Sequence, residues 1–325
     1  MPRHRDSVRT PHRNSKQKNK KGSRNQKLRV FSFLATLGII VIVIGASSYM
    51  SLPQVEHIPD KFEFNRQGWM RYVPREILSV FYVDYDGAYA LSGTALYLGS
   101  GPVLYFYRLN FTIFQQDVSY EVDMELLPPQ FNGTVTVMRL HDQQFGALQS
   151  AIEGENKAPS WSYQGYSVRE LLIRRPGDQK LVQCFLSVAD GYVIFSYDPM
   201  TGRRGVQRTL DQFASDAANL FDNATVRTGV YAVGAATQPC IGLQVGMFQT
   251  PLNESRMIVK STIQDGTRLL VTRSILFASN DIALGQFGQA HQVYRSAASY
   301  KILDSWLVVS YEYPVSRLKV ELSGI

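Results

Sequence analysis

KLVQCFLSVADGYVIFSYDPMTGRRGVQRTLDQFASDAANLFD, residues Lys180 to Asp222, is the stretch that decides the fold class. Lys180 to Val188 is strand-like. Asp190-Gly191 then supplies the positive-φ pair of a tight hairpin into Tyr192 to Tyr197. Directly afterwards Val206, Leu210, Phe213, Ala214, Ala217 and Phe221 recur at helical spacing, with Arg208, Asp211, Asp216 and Asn219 on the other face. Two strands joined by a short turn pair antiparallel, and a helix with one apolar stripe must bury it against them.

The pattern extends in both directions. Upstream, Thr134 to Leu140 reads as a strand, Phe145, Leu148 and Ile152 as a helical stripe, and Tyr166 to Ile173 as a strand. The order over residues 134–222 is thus β-α-β-β-β-α, an open sheet expected to carry its helices on one side. Earlier still, Glu76 to Val83, Pro102 to Asn110 and Val118 to Leu126 are strand candidates. Downstream, Val226 to Val233 and Ile241 to Phe248 read as strands, and Arg256 to Ile263 and Thr267 to Phe277 as a hairpin around Asp265-Gly266. Ile282 to Ser299 reads as helix, and Trp306 to Tyr311 and Ser316 to Leu322 as strands. The fold class expected is α+β: mainly antiparallel sheet with two or three packed helices, in two lobes of similar style over 71–222 and 223–325.

Residue 30 marks an abrupt change. Residues 1–29 hold eleven Lys and Arg against the single Asp6 and no aromatic residue, a composition that cannot bury a core and reads as disordered. Val30 to Met50 is uncharged, and its length as a helix matches about 30 Å of hydrocarbon. A basic flank stays in the cytoplasm, so the segment reads as a transmembrane signal-anchor that sends the remainder outside the cell membrane. A cleaved signal peptide, with Ala46 and Ser48 as its small residues, is the competing reading, and the long basic and apolar segments argue against it. The whole chain is +7, less than the tail alone, so the exported part is acidic on balance and gives no case for a specific nucleic-acid partner. Membrane lipid is the expected partner of 30–50 and of the basic tail. Pro53 and Pro59 make 51–70 an extended stalk.

Features of the exported part fit that compartment. Asn110-Phe-Thr, Asn132-Gly-Thr, Asn223-Ala-Thr and Asn253-Glu-Ser are glycosylation sequons. Cys184 and Cys240 form an even pair that in an oxidising compartment closes a loop worth about 4 kcal/mol, unless they are two separate buried thiols.

Chemical motifs are missing: no nucleophile elbow, phosphate loop, Rossmann fingerprint or metal-ligand histidine spacing, so no catalytic, cofactor or metal residue is assigned. His141-Asp142 is the nearest approach to a catalytic pair, and Asp142 is more simply a helix N-cap. Asp84-Tyr-Asp86-Gly87 has the opening but not the closing ligands of a calcium loop and reads as a turn. Aromatics crowd residues 62–120, where sheet core competes with a contact platform; Trp69, Tyr72 and Tyr89, near strand ends, are the partner-contact candidates.

These readings favour a signal-anchored extracytoplasmic binding or scaffold module that contacts a protein, an envelope polymer or a glycan. The first alternative is a membrane-tethered hydrolase whose carboxylates converge only in three dimensions, with Asp84, Asp86, His141 and Asp142 as its candidates. The second is an accessory subunit of a membrane complex, with Gly38 and Gly45 on one face of the anchor allowing close helix approach.

Overall fold

The computed structural model describes residues 33, 35–40, 55–92, 104–126, 133–174, 180–198, 200–215, 217–247, 250–252 and 254–323. The chain divides into two compact units, residues 1–53 and 54–325. In the first, Phe33 and residues 35–40 are helical. The rest of 30–50 and the tail lie outside the described residues, and no helix among those described is long and apolar enough to cross a membrane.

In chain order the second unit runs β1 (Val55–Glu56), β2 (Ile77–Asp84), α1 (Tyr85–Ser92), β3 (Leu104–Phe106), β4 (Phe111–Ile113), β5 (Val118–Leu126) and β6 (Thr134–Leu140). It continues with α2 (Asp142–Gly154), β7 (Ser160–Tyr163), β8 (Tyr166–Arg174), β9 (Leu181–Ala189), β10 (Tyr192–Ser196), α3 (Gly202–Ala214) and α4 (Ala224–Ala232). It ends with β11 (Gly242–Gly246), β12 (Met257–Asp265), β13 (Arg268–Leu276), α5 (Asn280–Val293), β14 (Ser299–Leu303), β15 (Trp306–Pro314) and α6 (Leu318–Ser323). The architecture is α+β.

All these strands join one sheet, in the order β1-β14-β15-β13-β12-β11-β2-β5-β6-β10-β9-β8-β3-β4, with β7 on β8. The pairing of β1 with β14 is parallel, and the sheet is otherwise antiparallel. Two runs of it share one pattern: β2-β5-β6-β10-β9 and β11-β12-β13-β15-β14 list their strands in the same succession, with a helix, α2 or α5, after the third. The runs meet where β2 pairs antiparallel with β11, Phe81 opposite Gln244. An approximate twofold through that pair relates them, and the register makes Asp123 the counterpart of Lys260. Residues 71–222 and 223–325 therefore share a continuous sheet.

Strand alternation sends side chains to two buried faces. Val135 and Val137 of β6 pack in one core with Val206 and Leu210 of α3, while Met138 and Leu140 pack in another with Leu148 of α2. Helices thus cover both faces, where the sequence pattern placed them on one. The α3 core runs across the molecule to Val226 and Val230 of α4 and to Trp306. On the opposite face the α2 core and the α5 core, which holds Ala283 and Ala290, are separate clusters.

Several elements differ from the sequence expectation: Ile282 to Ser299, read as helix, is α5 only as far as Val293, and Ser299 opens β14. Val226 to Val233, read as strand, is the body of α4 with Val233 as its C-cap: Asn223 Oδ1 accepts from the Thr225 N–H at 2.9 Å, and Val226, Gly229, Val230 and Val233 are buried at helical spacing. Ser316 to Leu322 is a helical turn plus α6, burying Leu318 and Leu322 four residues apart. The turn expected at Asp84–Gly87 opens α1, with the Gly87 N–H donating to Asp84 Oδ1 at 2.8 Å. The helix expected to run to Phe221 stops at Ala214, and Leu220–Asp222 form a separate turn.

The disulfide expected between Cys184 and Cys240 is not formed: both are free, buried thiols. Cys184 lies on β9 in the α2 core, while Cys240 precedes β11 in the core of the other face. Those strands are five places apart in the sheet, about 24 Å, against the about 7 Å limit for a bridge.

Candidate functional site

Two regions concentrate chemistry. The first is the outward row of β5. Its alternation buries Val122 and Met124 and turns Glu121, Asp123 and Glu125 to the opposite face, successive carboxylates standing about 7 Å apart. Tyr85 on α1 donates to Glu121 Oε2 at 2.9 Å, Thr136 donates to Asp123, and Ser79 donates to Glu125 Oε2 at 3.2 Å. Burial, with the Asp123 charge adding, pushes the Glu121 carboxyl up to about 8, and burial raises Asp123 as well. Across the twofold, Lys260 is buried and donates to the Glu321 carbonyl at 3.0 Å. Burial draws its ammonium down to about 8, with Arg273 adding and Glu321 opposing.

The hydrolase candidates divide around this row. His141 Nε2 lies 3.0 Å from Asp86 Oδ1, and Ser119 donates to the other oxygen of Asp86. Serine and histidine thus share a carboxylate instead of forming a relay in which histidine activates serine. Asp84 is spent on the α1 turn, its carboxyl raised by burial. His141, not Asp142, is the N-cap residue of α2, and Asp142 occupies the first turn. Among the described residues no group of three or more His, Cys, Asp or Glu is placed to hold a metal ion.

The second region is a cleft of about 520 Å³ at the end of α3, lined by Arg66, Arg71, Tyr72, Asp190, Gln212, Phe213, Ser215, Asn219 and Asp222, with Ala214 and Ala217. Its floor is aromatic. Tyr72 stacks on Phe213 with ring centres 3.9 Å apart and meets Tyr192 edge-on at 4.7 Å, and the Tyr192 and Tyr120 hydroxyls are 2.7 Å apart. One wall is a self-contained turn: the Asn219 N–H donates to Asp222 Oδ2 at 2.8 Å, the Phe221 N–H donates to Asn219 Oδ1 at 2.8 Å, and Arg66 pairs with Asp222. The Asn219 N–H first, and Arg66 next, hold the Asp222 carboxyl below the usual carboxylate range. Other lining residues are less satisfied. Arg71 donates to the Tyr72 hydroxyl and stands over that ring at 4.5 Å, with no carboxylate at ion-pair distance among the described residues. Among the described residues Gln212 Oε1 is buried with no hydrogen-bond partner.

Of the partner-contact candidates, Trp69 is buried, stacked on Tyr82 at 4.4 Å, and offers no free surface. Tyr72 is buried as a ring yet lines the cleft, and Tyr89 is 57% exposed on α1. Asn110 is exposed at a positive φ of 46°, and Asn223 is exposed while capping α4. Asn132 and Asn253 lie outside the described residues. Sequence reasoning missed Arg71 and Gln212, which stand far apart in the chain and belong to no motif. The carboxylate row was legible as alternation within Val118 to Leu126 but was read only as a strand.

No protein-family model and no curated protein sequence matches the chain. Solved structures similar to it are "Structure of crystal form I of TP0453", at 9% identity and TM-score 0.47 over 80% of this chain and 98% of that one, and "Structure of crystal form III of TP0453", at 9% identity and TM-score 0.48 over 79% and 98%.

Proposed function

We propose that residues 54–325 are an extracytoplasmic binding module, held at the cell membrane by a signal-anchor over 30–50, and that the cleft beside Arg71 is its contact site. The observation that carries this reading is the cleft, a concavity of about 520 Å³ over an aromatic floor in which the Arg71 guanidinium, among the described residues, bonds only the Tyr72 hydroxyl. A cation with donors to spare in a concave site is what a ligand completes. The charge step at residue 30 supports the location, and of the two described sequons exposed Asn110, which caps no helix, is the better placed to carry glycan.

Protease protection on sealed cells, with one tag before residue 30 and another at the C-terminus, tests the placement. The C-terminal tag is expected to be accessible and the N-terminal tag protected, and the opposite pattern overturns it.

A hydrolase remains the second reading because of one observation: Glu121, pushed up to about 8, stands one strand repeat from Asp123. A protonated acid beside a second carboxylate at about 5–10 Å is the arrangement of glycosidases. Glu121→Gln would abolish a hydrolytic activity of that kind while leaving ligand binding at the cleft unchanged.

A further inference from the structure

Lys260 of β12 and Arg273 of β13 stand directly opposite each other in the sheet. Arg273 alternates in phase with Val271 and Ile275, so both cations point into the face covered by α5 and α6, opposite to the face that carries α3. Like charges placed directly opposite destabilise a sheet unless an anion joins them. Burial first and Arg273 second draw the Lys260 ammonium down, so the repulsion is felt. The carboxylate at hand is Glu321 of α6, and it is already shared: Oε2 lies 3.8 Å from Lys260 Nζ, and Oε1 lies 3.5 Å from Arg317. Among the described residues Arg273 has neither a carboxylate at ion-pair distance nor a hydrogen-bond partner. Its Nε is enclosed and out of reach, but its two terminal nitrogens are not, and their N–H groups are open to an incoming anion.

Two tyrosines seat the guanidiniums. Arg273 lies 5.9 Å from the centre of the Tyr311 ring, Tyr313 stacks on Tyr311 at 5.7 Å, and Arg317 stands over Tyr313 at 4.4 Å. Stacking occupies the face of a guanidinium and leaves its N–H edge for an oxyanion. The charge balance says which oxyanion. Lys260, Arg273 and Arg317 face the single carboxylate of Glu321, so two positive charges are uncompensated, whereas in the cleft beside Arg71 two aspartates match two arginines. A carboxylate would neutralise one of the two. A phosphate group, with a charge of about −1.5 to −2 at neutral pH and several acceptor oxygens, neutralises both. We infer that this cluster is a phosphate-group site, separate from the cleft, in which the terminal nitrogens of Arg273 hold the oxyanion while Lys260 and Arg317 supply the surrounding positive field.

The full chain in non-ionic detergent micelles, at constant ionic strength, tests this with four probes: inorganic phosphate, glycerol phosphate, micelles doped with phosphatidic acid, and acetate. Melting temperature and phosphorus NMR linewidth are the readouts. A phosphate probe at a tenfold excess over its dissociation constant should raise the melting temperature by about 2–5 °C, and acetate should not. Arg273→Met should abolish the response and, without ligand, melt at the same temperature or higher because it relieves Lys260. Arg273→Lys keeps the charge but loses the planar fork, and should weaken binding about three- to tenfold. Arg268→Met removes an exposed cation of the same strand, paired with Glu312, and should leave the response intact. A response to inorganic phosphate or glycerol phosphate upholds the site with a soluble ligand, and a response confined to phosphatidic acid upholds it with a lipid headgroup as the source. Equal responses to acetate and phosphate, a response that survives Arg273→Met, or silence with all three phosphate probes overturns it.

Discussion

Glu121 ties stability to pH at a single side chain. Its carboxyl rises from an ordinary 4.5 to about 8, by burial first and the Asp123 charge second. Between those values the folded state keeps a proton that the unfolded chain has lost, so the contribution is full below pH 4.5 and lost as pH rises through 8. Glu121→Gln, which retains an acceptor for Tyr85, should stabilise the protein at pH 8 by about 1–2 kcal/mol and change it little at pH 4, read by urea unfolding at both values. Equal effects at the two pH values would show that the carboxyl is solvated. Lys260 acts in the opposite direction on proton count and so on stability: between about 8 and 10.5 the folded state has lost a proton that the unfolded chain keeps, and the penalty present below pH 8 fades as pH rises toward 10.5. At this scale the sequence shows which residues alternate and hides what they face. Glu121, Asp123 and Glu125 are visibly on one side of a strand, whereas the placing of Lys260 across a twofold depends on the β2–β11 pairing. Tyr72 was legible as a candidate; the cleft partners that give it meaning are not its neighbours in sequence.

Helices α3 and α4 approach the sheet closely because glycines face it. A Cβ on Gly229 would lie 2.6 Å from Trp306 Cη2 and 2.7 Å from Val259 Cγ2, and one on Gly205 would collide with Val135. Gly146 in α2 meets nothing within 4 Å. Gly229→Ala should therefore cost about 1–3 kcal/mol through overpacking, despite its gain in helix propensity, while Gly146→Ala should stabilise by up to about 1 kcal/mol. Thermal unfolding of the two variants checks the contrast, and like signs would refute it. The element errors share a cause. Val226 and Val230 are β-formers by propensity, yet the Asn223 cap and a tertiary face at helical spacing hold them in α4. Asp84 to Gly87 has turn chemistry, and the turn is the start of α1. The DG hairpin was readable because its geometry is local: Asp190 and Gly191 have φ of 50° and 84°.

The continuous sheet predicts how the second unit of the molecule comes apart. The core under α3 and α4 includes Val122 and Val137 from one half of the sheet and Val259 and Trp306 from the other, so neither half can lose its packing alone. Within each single-tryptophan variant, keeping only Trp161 or only Trp306, fluorescence and far-UV circular dichroism should give coincident denaturant midpoints, and midpoints of the two probes differing by more than about 0.3 M would show two independent lobes. At the sheet's far edge Val55 and Glu56 lie parallel against Ile302 and Leu303, and Asp304 accepts from the Ile58 N–H at 3.0 Å and lies 2.7 Å from the His57 ring. Tension applied from the N-terminal side meets this two-residue splice before any longer strand. Peeling it back to Asn65, whose N–H holds the Ala236 carbonyl at 2.7 Å, would release ten residues. That is about 35 Å of extra tether. A tug would lengthen the leash before it reached the cleft.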